Sequence, residues 1–348
     1  ENAKKLADVF FAFTDKIKNG AFEPYFVADE NGTPTEYAFY PITQYTTQPQ
    51  CEPSFSALQR RVSAQKNTVL TAKNKRQDLE KLISAALAHS RKKLALQLSE
   101  LEDCADKEVI RLKGELITSY IYMLGRGMDS VELVDYNTGE SQKISLDTKL
   151  TPSQNAQKYF KKYRKKLSTE KNMLLQSEKT KSDIDYLESV ADLLSRAQTE
   201  REAEDIRDEL AANGFVSQKK KRMSVQKTKK SEPLTFTTAG GFTVRVGKNN
   251  LQNDALTFSA SKDDLWFHVK NVPGSHTILY TEGKEPSEAD LTEAAVIAAA
   301  HSSASQSPIA AVDYTKRRNV HKPAGAKPGY VIYDRYNTAY VHPDGKKE

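Results

Sequence analysis

The chain of 348 residues has only two cysteines, Cys51 and Cys104, and their spacing fits neither a disulfide framework nor a metal site. That scarcity points to a reducing compartment. Long apolar runs are missing too. The longest small-apolar stretch, Ala294–Ala300, falls far short of the ~18 residues of a membrane span. Chemistry-bearing patterns are equally sparse: there is no GxSxG, no GxxxxGK[ST] and no GxGxxG. The six histidines form no HxxxH pair, so no metal or other cofactor is expected. Asp263-Asp264 is the one paired carboxylate near a histidine, and a strand boundary explains it as well as acid–base chemistry does. A binding protein is favoured over an enzyme.

Glycine and proline are absent from Ser54–Lys113 and again from Ser153–Asn213. Fully helical, each run would extend about 90 Å at the rise of an α-helix. Apolar residues recur near heptad spacing, at Phe55, Leu58, Val62, Val69, Leu79 and Ile83, then at Tyr163, Leu167, Leu174, Ile184, Leu187, Ala191 and Leu194. Between the runs lie Gly114, Gly125, Gly127, Gly139 and Pro152, with Val131–Asp135 and Lys143–Leu146 flanking Asn137-Thr-Gly139 as a hairpin. An antiparallel coiled coil over residues 54–215, with a small β-containing head at about 116–152, is the simplest architecture.

Residues 1–53 read as a helix through Leu6, Val9, Phe10, Phe13 and Ile17, then a hairpin turning at Asn31-Gly32. This segment is rich in phenylalanine for its size, which suggests packing against a further domain. The chain opens at Glu1 with no signal-like segment, as a piece of a longer protein would.

Charge is unevenly placed. The net charge is +6, yet Gly214–Glu348 holds 20 Lys and Arg against 13 Asp and Glu, leaving 32 against 33 in the first 213 residues. A regional basic excess suits a polyanion such as RNA. Residues 216–233 read as a basic linker containing Lys219-Lys220-Lys221-Arg222.

Residues 234–348 read as a compact α+β unit. Strands are expected near Leu234–Thr238, Phe242–Val246, Ala255–Ser259, Leu265–Val269, Thr277–Tyr280, Ile309–Tyr314, Tyr330–Tyr333 and Thr338–Val341, with one helix over Glu288–Ser303. Strand alternation in Asp264–Lys270 places Trp266, His268 and Lys270 on one face, opposite Leu265, Phe267 and Val269. Trp266 either stacks a base or fills a second core layer, and both readings stand. Ser275 and His276 sit at a strand entrance. Lys316, Arg317, Arg318, His321, Lys322 and Lys327 lie on a loop stiffened by Pro323 and Pro328, a composition suited to phosphates.

Five ordered motifs carry a family resemblance: Val246-Gly-Lys-Asn-Asn-Leu-Gln-Asn253, Asp264–Lys270, Pro273-Gly-Ser-His276, Val312–Thr315 and Lys322–Gly329. Lys113–Ile117, Gly127–Asp129 and Ser153–Phe160 extend it through the middle of the chain. The chain resembles the C-terminal half, coiled coil plus NFACT-R domain, of the NFACT family. That family includes bacterial RqcH-type proteins and streptococcal PavA-like fibronectin-binding proteins, with eukaryotic NEMF more distant. The resemblance implies an RNA-binding surface that includes Lys248, Asn249 and Asn250 beside the residues above. It implies a cytoplasmic, ribosome-associated factor that binds tRNA and rRNA and touches the stalk base of the large ribosomal subunit with the coiled-coil head. In that family, such factors direct alanine tailing of stalled chains. It also leaves open an anchorless surface adhesin whose partner is host fibronectin; no membrane insertion is expected.

Overall fold

A computed structural model of the chain describes residues 2–20, 22–28, 34–45, 47–217 and 230–344, arranged as two compact units. The first comprises residues 1–79 and 197–204, the second 80–196 and 205–348. The α+β domain and most of the helical segment therefore share one unit.

In the first unit, helix α1 (Asn2–Lys18) precedes strands β1 (Tyr25–Ala28), β2 (Pro34–Ala38) and β3 (Gln50–Cys51), which form an antiparallel sheet ordered β2-β1-β3. The expected hairpin is present, while its turn at Asn31-Gly32 lies outside the described residues. Phe26, Ala28 and Leu58 form the core. Phe39 meets Phe22 edge to face and lies tilted against Phe13, which meets Tyr40 edge to face, while Phe10 and Phe11 are more exposed than any of these.

The two uninterrupted runs are broken helices. α2 (Phe55–Glu102) gives way to α3 (Lys107–Ser119), and α4 (Pro152–Arg196) to α5 (Glu200–Ala212). The second break has a legible cause: Thr199 Oγ1 accepts from Glu202 N at 3.2 Å while Glu202 Oε2 accepts from Thr199 N at 3.2 Å, a reciprocal cap that starts a new helix. α2 and α3 run antiparallel to α4, linked by Arg91–Glu188 at 2.8 Å, Gln97–Gln176 at 3.4 Å and Lys107–Glu170. Ile83, Leu187 and Leu194 are buried as expected, but Leu167 and Leu174 are 43% and 49% exposed. A strict seven-residue repeat drifts about 20° per heptad on a straight helix, and Gln97, Ser177 and Thr180 occupy the contact instead. In the head, β4 (Ser130–Val134) pairs with β5 (Ser141–Ser145) across a turn closed by Gly139 N donating to Asp135 O at 2.8 Å. Leu116, Ile117, Leu133, Ile144 and Leu146 make its core.

Beyond the linker, most of which lies outside the described residues, the α+β domain contains β6 (Leu234–Thr237), β7 (Thr243–Val246), α6 (Asn250–Ser259), β8 (Leu265–Val269), β9 (Thr277–Tyr280), α7 (Glu288–Ala300), β10 (Ala310–Lys316), β11 (Val320–His321), β12 (Ile332–Tyr333) and β13 (Asn337–Val341). Six strands form one antiparallel sheet ordered β13-β10-β8-β9-β7-β6, and β11 pairs with β12 separately. The small-residue face of α7 packs on Phe267, Val269, Leu279 and Val312. The expected strand Ala255–Ser259 is the end of helix α6. Asn249 caps this helix, its side chain accepting from Gln252 N at 2.8 Å, while Gln252 Oε1 takes Lys248 N at 3.0 Å. That local cap overrides the β-like composition of Ala255-Leu-Thr-Phe-Ser259.

Since the head has its own small core, Ile144→Ala should cost about 2–5 kcal/mol there through lost burial and a cavity. Hydrogen exchange should show protection falling in β4, β5 and the end of α3 while α7 and β8 keep theirs. Uniform loss across both regions would refute a separable head.

Candidate nucleic-acid interface

Helix α6 covers the sheet face that alternation assigns to Trp266, His268 and Lys270. Trp266 is therefore core, 1% exposed, packed with Leu256, Ala260, Ile278 and Val320. Its ring lies parallel to His268 at 5.7 Å, edge-on to His276 at 5.3 Å and tilted against Tyr333 at 4.8 Å. The base-stacking role for Trp266 is corrected: a helix and a loop occupy the space a base would need.

His276 is also a scaffold residue. Its backbone N–H donates to Asn253 Oδ1 at 3.1 Å, its Nδ1 lies 2.8 Å from Thr257 Oγ1, and its Nε2 lies 3.1 Å from Gly329 O. A carbonyl can only accept, so Nε2 carries the proton and Nδ1 accepts from Thr257. Burial, with His268 adding to it, pushes the His276 ring down to about 3. Burial lowers His268 as well. Ser275 is buried, its N–H donating to His301 O at 3.0 Å. Asn249 serves as the α6 cap, and Asn250 donates from Nδ2 to Ser189 Oγ at 2.9 Å. Lys248 is half-buried at the entrance to α6. Asn249, Asn250, Ser275 and His276 are thus all withdrawn from the surface, because α6 needs its first turn and β9 its entrance satisfied internally.

The basic loop divides into anchors and a rim. Arg317 is an anchor: its Nε donates to Thr257 O at 3.0 Å and its guanidinium lies 5.2 Å from the Phe258 ring centre. Lys327 reaches α4, 3.0 Å from Asp183, with its ammonium over Phe215 at 4.8 Å and Tyr186 at 5.6 Å. Lys270 approaches buried Asp313 at 3.6 Å and lies over Tyr336 at 5.1 Å. Lys322 pairs with Asp254, whose other oxygen takes Gly329 N at 3.1 Å. Gly329 has φ +78°, and a Cβ there would sit 2.2 Å from Asn250 Oδ1, so the loop closes on α6 only through glycine.

What faces solvent is Lys316, Arg318, His321 and Lys322. Lys316 and Arg318, 54% and 48% exposed in their side chains, share the single carboxylate of Asp263, so the pair keeps a net positive charge. Exposed Tyr330 and Tyr340 supply the accessible rings that Trp266 does not, while Tyr336, also exposed, has Lys270 over its ring. Sequence reasoning passed over them because tyrosine is common here, with 16 in the chain, whereas a lone tryptophan stands out. Asp263 and Asp264, weighed as an acid–base pair, play separate structural parts. Buried Asp264 accepts from Ser261 N at 2.8 Å and Thr281 N at 2.9 Å. No cluster of three or more His, Cys, Asp or Glu able to hold a metal occurs among the described residues, and no described helix is long and apolar enough to cross a membrane.

The family model for the NFACT N-terminal and middle domains matches residues 1–231, and that for the NFACT protein RNA binding domain matches 233–334. The first match begins at residue 1, so the expectation of a C-terminal half gains no support from it. The Rqc2 homolog RqcH of Streptococcus suis is 39% identical over 342 residues, covering 96% of this chain and 60% of that protein. The Rqc2 homolog RqcH of Bacillus subtilis is 38% identical over 281 residues, covering 78% and 48%. The chain thus spans between about half and 60% of the length of these relatives. A solved structure of the C-terminal part of the fibronectin/fibrinogen-binding protein from Streptococcus suis superposes with a TM-score of 0.63 at 37% identity, covering 78% of this chain and 95% of that one.

Two outcomes follow from the buried layer. Trp266→Ala should cost about 3–5 kcal/mol of stability in urea melts, and RNA affinity should be unchanged in whatever fraction stays folded. The second outcome concerns pH. Unfolded His276 gains a proton as pH falls through 6.5, and the folded ring does so only near 3. Its contribution is complete above pH 6.5 and is lost on acidification, by at most about 1.4 kcal/mol per pH unit. The urea midpoint should therefore fall between pH 6.5 and 4, and His276→Gln should flatten that slope. An equal slope in the variant would remove His276 as its source.

Proposed function

The chain belongs to the NFACT family, and we propose that it is a ribosome quality-control factor that binds the large ribosomal subunit, tRNA and rRNA. The observation that carries this reading is the solvent-facing rim of Lys316, Arg318, His321 and Lys322, held on a buried scaffold within the stretch that matches an RNA binding domain. Cations fixed before binding lose little freedom when they meet phosphates, and the exposed tyrosines offer stacking to unpaired bases. Relatives that carry the name RqcH support the quality-control context. In this reading the α+β domain holds RNA, the helical pair acts as a coiled-coil arm, and the head reaches the stalk base. The protein works by binding, without catalysis of its own, in the cytoplasm beside the ribosome. Alanine tailing of stalled nascent chains is the process it would serve.

A second reading has one observation in its favour: the superposable structure comes from a protein described as fibronectin/fibrinogen-binding. Salt separates the two. Binding through several phosphates weakens steeply as salt rises, whereas strand addition or apolar contact to fibronectin changes less.

Replacing Lys316, Arg318 and Lys322 together by alanine should weaken RNA binding and reduce the salt slope by about one unit per lost contact. Arg317→Ala should act instead through stability, because its bonds are to the α6 backbone. A triple variant with wild-type affinity and slope would take this rim out of the RNA footprint.

A further inference from the structure

The loop over residues 322–331 joins β11 to β12 and carries part of the rim: His321 precedes it, Lys322 opens it and Tyr330 lies near its end. Most of its fastenings run to its own domain. Asp254 on α6 holds Lys322 and takes Gly329 N at 3.1 Å, and His276 Nε2 reaches Gly329 O at 3.1 Å. Lys327 goes the other way, to helix α4.

The socket that receives it is rigid for reasons of its own. Helix α5 ends in a Schellman turn, in which Gly214 has φ +80°, Phe215 N donates to Leu210 O at 3.0 Å and Gly214 N donates to Ala211 O at 3.2 Å. The turn lays Phe215 beside Tyr186, with ring centres 5.5 Å apart and planes 28° from parallel. Tyr186 is buried and fixed at its hydroxyl, which donates to Glu209 Oε1 at 2.9 Å and accepts from Asn213 Nδ2 at 3.3 Å. Asp183, three positions earlier on α4, completes the socket with an Oδ1 shielded from solvent. The Lys327 ammonium lies 3.0 Å from that oxygen, 4.8 Å from the Phe215 ring centre and 5.6 Å from that of Tyr186. Two ring faces and a carboxylate select a cation, and an apolar side chain here would leave the shielded oxygen unpaired.

A phosphate would find this place unfavourable. From Ser182 to Asp192, α4 carries Asp183, Asp185, Glu188 and Asp192 with no lysine or arginine. That stretch repels a polyanion and attracts the cationic loop. Lys327 therefore differs in task from Lys322, although one loop bears both.

We propose that Lys327 is a positioning residue for RNA binding. Its ammonium, seated among Asp183, Tyr186 and Phe215, sets the loop against α4, so that the presentation of His321, Lys322 and Tyr330 depends on the helical segment. This role rests on the reading of the chain as an RNA binder, and it adds that α4 governs affinity at this point without touching RNA.

Positioning and contact leave different signatures. Losing a phosphate contact lowers the salt slope, whereas losing a positioning contact weakens binding by a similar factor at every salt concentration. The carboxylate supplies a difference of sign. Removing a negative charge near bound RNA would tighten binding through the field alone, whereas unseating Lys327 weakens it.

The test uses the full chain, a labelled stem-loop RNA and titrations across salt. Lys327→Met and Asp183→Ala should each weaken binding by about three- to tenfold at a wild-type salt slope. The double variant should be no weaker than the weaker single, since both changes remove one contact. Without RNA, hydrogen exchange in both variants should quicken at Ala326, Gly329 and Tyr330 while β8 and α7 keep their protection. Tighter binding by Asp183→Ala, or a salt slope lowered by about one unit in Lys327→Met, would put Lys327 on phosphate and overturn the proposal. Unchanged exchange in the loop, or unchanged affinity in both variants, would overturn it as well. A wild-type chain that does not bind the RNA would remove the RNA-binding reading and this role with it, so failure of that reading appears in the wild type and failure of the positioning role only in the variants.

Discussion

A buried carboxylate is the central tie between the α+β domain and the helical segment. Glu209, on α5, accepts from Tyr186 OH at 2.9 Å on α4, and from Asn250 N at 3.0 Å and Leu251 N at 3.3 Å at the start of α6. Three donors and the positive end of a helix offset much of the cost of burying the charge. Burial still dominates and pushes the Glu209 carboxyl upward, against the downward pull of Tyr186 and Asn250. Asn250 Nδ2 donates to Ser189 Oγ on α4 beside this contact. The orientation of α6 is therefore set by residues some forty positions upstream.

Everything on the second face of the sheet depends on that orientation. α6 brings Leu256 and Ala260 over Trp266, Thr257 to His276, and Asp254 to Lys322 and Gly329. The basic loop is consequently fastened on its inner side and open on its outer side. Histidines within this layer are neutral because an uncompensated charge there would be costly. The loop's cations separate by the same logic, with Arg317 and Lys327 spent on internal contacts and Lys316 and Arg318 left at the surface. A rigid rim is a better phosphate receptor than a tethered basic tail, since its ordering cost is met during folding.

The head and the α+β domain each have their own core, and α4 runs between them. A protein that must grip a large, irregular polyanion gains from separated contacts joined by a stiff element, since the second contact forms at high effective concentration once the first is made.

Many features that depend on local chemistry are legible in the sequence. Those features include the α+β class, the head hairpin around Asn137-Thr-Gly139, the strand Leu265–Val269 with its two faces, the α7 small-residue face, and the basic bias of the last third. These follow from periodicity, turn residues and charge, which neighbouring positions fix among themselves. Two misreadings had local remedies, because Thr199 with Glu202 and Asn249 with Gln252 mark the helix starts that apolar spacing concealed. Tertiary structure alone decided which face of the strand meets solvent. Alternation separates Trp266 from Phe267 but is silent on what covers either side, and the cover arrives from α6, positioned by Glu209. It also decided which cations are free, since Asp183, Asp254 and Asp263 lie far in sequence from the lysines and arginines they bind. Burial and ion pairing are properties of distant neighbours, and only the folded chain brings those neighbours together.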